Sequence, residues 1–187
     1  MSTESISQPP KTKKLQSKIG WICQSLRWLM IVWLAWILIL ISLPFFDLAG
    51  TVEHINIALK LTVDPVTTQS YIASRCVSYL DWAAASSIGI AGWKLMTGYL
   101  NGDIFSERAA ESLKRLGQAA LLATGADIIA RPVSSWILSA THFHTIPIWQ
   151  FLMPQDLLYV LIGLLILGLA RIYHAAAEIN AENKQFI

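Results

Sequence analysis

The sequence predicts an all-α fold, an integral membrane four-helix bundle with N-terminus and C-terminus cytoplasmic, and three observations carry that expectation. Of 187 residues, 55% are hydrophobic and 14% are charged, whereas ordinary soluble chains hold about 25% charged residues. Four segments are apolar enough, at ~1.5 Å of rise per residue, to approach the ~30 Å of a bilayer core. The basic residues segregate as well. If all four segments span, eleven of the 14 lysines and arginines share the side of the N-terminus, and three, Lys60, Arg75 and Arg131, take the other. That asymmetry is what retained cytoplasmic segments show. A three-span arrangement splits the same residues nine to five, so four spans are preferred.

In chain order, residues 1–20 hold Pro9, Pro10 and the lysines 11, 13, 14 and 18 without apolar periodicity, which predicts a disordered basic cytoplasmic tail turning helical near Lys18. Such a tail sets topology, and its position alone attracts anionic lipid at about 1 kcal/mol per basic residue. Residues 21–187 then form the membrane domain, with spans at about 28–46, 82–100, 113–138 and 157–176. The first is free of charge and closes at Pro44 and Asp47. It is longer than the ~7–15 apolar residues of a cleavable signal peptide, and Phe45-Phe46-Asp47-Leu48 lacks small residues for a cut, so it reads as an uncleaved anchor. Lys94 is the one charge in the second span, and its stem reaches the nearer interface. The third contains Asp127 and Arg131, with Pro132 expected to kink or end the helix. The fourth is uncharged over 157–170 and continues through Arg171 towards Ala177. Trp21 and Trp28 fall near the inner boundary and Trp82, Trp136 and Trp149 near the outer one, where indole rings prefer to lie. Cys23 inside and Cys76 outside cannot pair within one chain.

Among the loops, 47–79 is long enough to need structure of its own. Its 57–63 stretch alternates as a short strand or a surface helix would, and both stay open. Residues 139–155, with His142, His144, Pro147 and Pro154, read as irregular. The cytoplasmic hairpin is richer. Asn101-Gly102 is a turn signal, and Ser106 followed by Glu107 is a helix N-cap with an acid in the first turn. Ile104 and Phe105 are expected to pack back under the helices as a staple. Asn101, Gly102, Asp103, Ile104, Phe105 and Ser106 together form a candidate cytoplasmic interaction loop.

Gly102-Asp103-Ile104-Phe105-Ser106, Leu113-Lys114-Arg115-Leu116-Gly117, Asp156-Leu157-Leu158 and Leu169-Ala170-Arg171-Ile172-Tyr173 through Glu182-Asn183 resemble a bacterial inner-membrane family of four-helix proteins known as domain of unknown function 2975. The likeness covers about the second half of the chain; the first half agrees in hydropathy, and Lys184 stands where the pattern has an acid. The resemblance implies a multi-pass protein of the bacterial cytoplasmic (inner) membrane. It implies no activity. It suggests one partner class, a small cytoplasmic helix-turn-helix regulator, while no direct nucleic-acid binding by this chain is expected.

Little in the chain points to chemistry. Haem between facing helices needs paired histidines at bilayer depth, but His54, His142 and His144 fall in outer loops and His174 at the inner end of the last span. His142-x-His144, even with oxygen from Asp127 or Asp156, is an incomplete metal shell. No cofactor and no metal are therefore expected. The chain lacks Gly-x-Ser-x-Gly, His-Glu-x-x-His and a glycine-rich phosphate loop, so it is not expected to be an enzyme. Charges near spans are costly and tend to be paired or functional, which singles out Arg75, Asp81, Asp127 and Arg131 as a candidate polar cluster. Small residues at Ala85, Gly89, Gly92, Gly117, Ala123, Gly125, Gly163 and Gly168 allow close helix approach, within the chain or as a homodimer face. The expected role is a non-catalytic interaction or regulatory component surrounded by membrane lipid. The alternative is a small transporter or channel-like protein with a polar vestibule near Asp127 and Arg131.

Overall fold

The computed structural model describes residues 10–58, 66–102, 106–138 and 151–185. They form α1 (Pro10–Ser42), a 3-10 turn at Leu43–Phe45, α2 (Leu48–Ala58), α3 (Thr68–Leu100), α4 (Glu107–Leu138) and α5 (Pro154–Gln185), with no strand among the described residues. By length and composition two stretches are able to cross a membrane, Gly20–Phe45 and Pro154–Ile179. Helix α1 begins at Pro10, earlier than the Lys18 start that the sequence predicts. Proline suits a first helical position because its missing N–H would be unbonded there anyway.

Local chemistry explains the boundaries. Asp47 caps α2, its Oδ1 accepting from the Gly50 N–H at 3.0 Å. Thr67 and Ser70 form a reciprocal capping box at the start of α3, with Ser70 N–H to Thr67 Oγ1 at 3.2 Å and Thr67 N–H to Ser70 Oγ at 3.1 Å. At the other end of α3 the Asn-Gly signal holds: Gly102 has φ of 86°, a left-handed conformation that glycine adopts without steric cost. Ser106 accepts from the Ala109 N–H at 3.1 Å, which is the predicted cap. The expected Ile104 and Phe105 staple lies outside the described residues, as do Asp103 and most of the 139–155 loop.

Of the two outcomes expected at Pro132, a kink or an end, the end does not occur: α4 continues to Leu138, the limit the sequence predicts for that span. Both flanks of the proline are fastened, by Arg131 to α5 on one side and by Leu138 against Val52, Val66 and Tyr71 on the other. Of the 57–63 stretch left open as strand or helix, residues 57 and 58 close helix α2, and 59–63 lie outside the described residues. Helix α2 covers the N-terminal end of α3 through that same small core, and Asn56 grips the Val66 backbone in both directions, at 3.1 and 2.7 Å.

The long helices pack in chain order, α1 on α3, α3 on α4 and α4 on α5. Neighbours are antiparallel. Gly20 lies beside Leu100 while Ser42 Oγ meets Tyr79 Oη at 2.9 Å, and Gly117 lies against Leu167 while Arg131 reaches Asp156. Glycines set the spacing: a Cβ on Gly89 would stand 2.6 Å from Leu34 and one on Gly92 2.8 Å from the Met30 sulfur. Arg27 stacks over the Trp93 ring at 3.7 Å, joining α1 to α3 near their shared end, a cation–π contact that survives where water is scarce. Among the described residues α1 and α5 make no comparable approach, so the helices enclose an open cleft instead of closing into a ring.

Candidate functional site

Arg131 anchors the site. Its two terminal nitrogens donate to the carboxylate of Asp156 in a fork, Nη1 to Oδ2 at 2.7 Å and Nη2 to Oδ1 at 2.8 Å, and Nη2 also donates to Asp127 one helical turn earlier. Nη1 donates further to the Phe151 carbonyl at 3.1 Å. The bidentate geometry is the strong form of an arginine–carboxylate pair. The Arg131 side chain is 18% exposed and that of Asp156 5%, so the pair sits where water contributes little.

Asp156 is preset for this role by its place in α5. Pro154 opens the helix and Asp156 is in its first turn, with Oδ2 accepting from the Met153 N–H at 2.8 Å. An acid at the third helical position that reaches back to the capping residue satisfies an unbonded donor and complements the helix dipole. The carboxylate is therefore held in place by its own helix before Arg131 meets it.

The sequence-derived cluster is rearranged accordingly. Asp127 and Arg131 come together as their i,i+4 spacing requires. Asp81 faces the same cleft as Asp127, without an ion pair among the described residues. Arg75 stands apart, its Nε donating to Tyr71 Oη at 2.9 Å and its guanidinium lying 4.9 Å from that ring, so it serves the α2–α3 core. Sequence reasoning missed Asp156 as the partner of Arg131. The signal was the Pro154-Gln155-Asp156 helix start, which marks a fixed acid but not what it faces. Of the candidate cytoplasmic loop, Asn101 and Gly102 form the turn and Ser106 the cap.

Below the arginine bridge lies the cleft, about 630 Å³, walled by α1, α3, α4 and α5. Met30, Trp33, Ile88 and Ile162 make it apolar, and Asp81 and Asp127 are its acidic groups. Trp82 lines it too, its indole N–H donating to the Leu34 carbonyl at 3.1 Å. That ring therefore clamps α3 to α1. His54 lies on α2, and His174 on α5 stands 3.5 Å from Glu178; His142 and His144 are outside the described residues.

No curated protein and no solved structure matches the chain. Residues 62–187, which take in α3, α4, α5 and therefore every member of the arginine bridge, match the family described as protein of unknown function (DUF2975), and the chain belongs to that family.

Proposed function

We propose that this is a four-span protein of the bacterial cytoplasmic membrane, both termini in the cytoplasm, that acts by binding and not by catalysis, as an interaction or regulatory component. Helices α3 and α4, at 33 and 32 residues, are about 50 Å long at ~1.5 Å per residue and exceed the ~30 Å hydrocarbon thickness. Several of their hydroxyls are satisfied internally: Ser86, Thr97 and Thr124 donate to carbonyls of their own helices. The antiparallel order puts the start of α1, the α3–α4 turn and the end of α5 at one end, which is the basic one.

The observation that carries the reading is the engagement of Arg131 across two helices. A guanidinium whose two terminal nitrogens are held by two carboxylates and a carbonyl is a fastener between α4 and α5. Partners on this reading include membrane lipid, a second copy of the chain and, from the family likeness, a helix-turn-helix regulator. Gly125, whose would-be Cβ meets nothing within 4 Å, supports a face left for another helix. A second reading, a small transporter with a vestibule near Asp127 and Arg131, draws support from Asp81 and Asp127 sharing the cleft.

Two experiments test this. In a cysteine-free background, single cysteines at Ser7, Asn101 or Gln185 are expected to be shielded from an impermeant thiol reagent in whole cells and cysteines at Thr67 or Thr145 to label; labelling at Gln185 from outside removes the four-span topology. Cysteines at Ala85 and Ala120, which line the cleft, separate the two functions. A binding component is expected to admit only a lipid-soluble maleimide there, whereas modification by a charged, hydrated reagent means a water path and favours transport.

A further inference from the structure

A second hollow, about 660 Å³, lies between α4 and α5 at the end opposite the arginine bridge. Its register is set by the crossing at Gly117 and Leu167: one turn outward from each is Lys114 on α4 and Arg171 on α5, and both line the hollow. These are also the levels at which each helix stops being charged. Residues 116–126 of α4 and 157–170 of α5 carry no ionisable acid or base except the Tyr159 phenol. Inward from the cations, Leu164, Leu167 and Gly168 make an apolar trough, and nothing lies within 4 Å of where a Gly168 Cβ would be.

Charge selects the occupant. Glu111 is the carboxylate in the hollow, and it is shared between Lys114 at 3.7 Å and Arg115 at 3.3 Å. Arg171 has no ion pair among the described residues, and His174 at the rim is turned to Glu178. The site thus keeps a net positive charge at the height where α4 and α5 enter the apolar region, directly beside the apolar trough of Leu164, Leu167 and Gly168. A ligand complementary to it has an anionic head and a hydrocarbon tail, and basic pockets between helices on the cytoplasmic side suit lipid headgroups. We propose that this trough holds one anionic glycerophospholipid, its phosphate between Lys114 and Arg171 and an acyl chain along Leu164, Leu167 and Gly168.

The proposal rests on the four-span reading and deepens it. Its test uses the full chain in detergent, titrated with phosphatidylglycerol or phosphatidylcholine and read by native mass spectrometry. The parent is expected to retain one phosphatidylglycerol with a preference of roughly tenfold or more over phosphatidylcholine, the order expected from two basic groups. Lys114→Gln with Arg171→Gln is expected to abolish the preference. Gly168→Leu, which fills open space and leaves every charge, is expected to lower occupancy by both lipids while the helical circular dichroism melt stays at the parent's. Lys94→Gln, on another helix, is expected to change nothing. A parental preference in the double glutamine variant overturns the proposal, as does equal binding of the two lipids by the parent or displacement of the bound lipid by millimolar inorganic phosphate. Flotation after reconstitution into phosphatidylcholine vesicles keeps the two readings apart: a chain that stays with the aqueous fraction refutes the membrane reading, whereas one that floats but shows no lipid preference refutes only this site.

Discussion

Replacing Asp156 with alanine is expected to lower the melting temperature of the detergent-solubilised protein by on the order of 10 °C. The substitution strips Arg131 of its forked partner at 2.7 and 2.8 Å and leaves a guanidinium that is 18% exposed with Asp127 as its one carboxylate and the Phe151 carbonyl. It also frees the Met153 N–H at the start of α5, an unbonded donor at a helix end. Asp127→Asn is expected to cost far less, a few degrees at most, because the fork to Asp156 survives it. Differential scanning fluorimetry of both variants checks the order. Equal melting shifts would mean that the two carboxylates hold the arginine alike, and the reversed order that Asp127 is its main partner.

The second large effect is steric. Gly117→Val is expected to destabilise the chain by about 3 kcal/mol, at the upper end for overpacked cores. Its new Cβ would stand 2.8 Å from the Leu167 side chain and 3.1 Å from the Leu167 backbone nitrogen. A side-chain tip can rotate away, but a backbone atom moves only if α4 and α5 separate. Gly125→Ala supplies the contrast, since its Cβ meets nothing within 4 Å. There the helix propensity of alanine is expected to dominate and to stabilise by about 0.8–1 kcal/mol. Urea or thermal melts followed by circular dichroism give both signs, and a destabilised Gly125→Ala would reveal a packing partner at that face.

What the sequence made legible was local. Ser106 with Glu107 and Asn101 with Gly102 each announce a helix start and a turn through a bond or dihedral formed within four residues, and both recur in the structure. The apolar runs of α1 and α5 were visible for the same reason, since hydropathy adds up along the chain. Helix α2 was not, because eleven residues with few polar positions satisfy a strand's alternation as well as a helix's stripe. Pro132 left two outcomes open because its local cost is visible in sequence, whereas the tertiary contacts on both sides of it that carry the helix through are not. Asp156 and Trp82 were missed as partners of Arg131 and Leu34 because those pairings span 25 and 48 residues. Spacing rules reach one or two helical turns; the sequence marks Gly117 and Gly163 as points of close approach, but that they meet Leu167 and Leu121 appears only once both helices are placed.

The chain-order packing has a consequence for synthesis. Every long helix finds its surface on the long helix made just before it, so each arriving segment meets a partner already in place and none waits for a distant one. Contacts of that kind form early and quickly, and elongation at roughly 5–20 residues per second gives each pair seconds to dock. The arginine bridge is the exception in timing. Arg131 leaves the ribosome with Asp127 but ahead of Asp156, and its second carboxylate arrives only when α5 begins. A nascent chain halted after α4 therefore holds a half-satisfied cation, and the entry of α5 is the step that completes its partners.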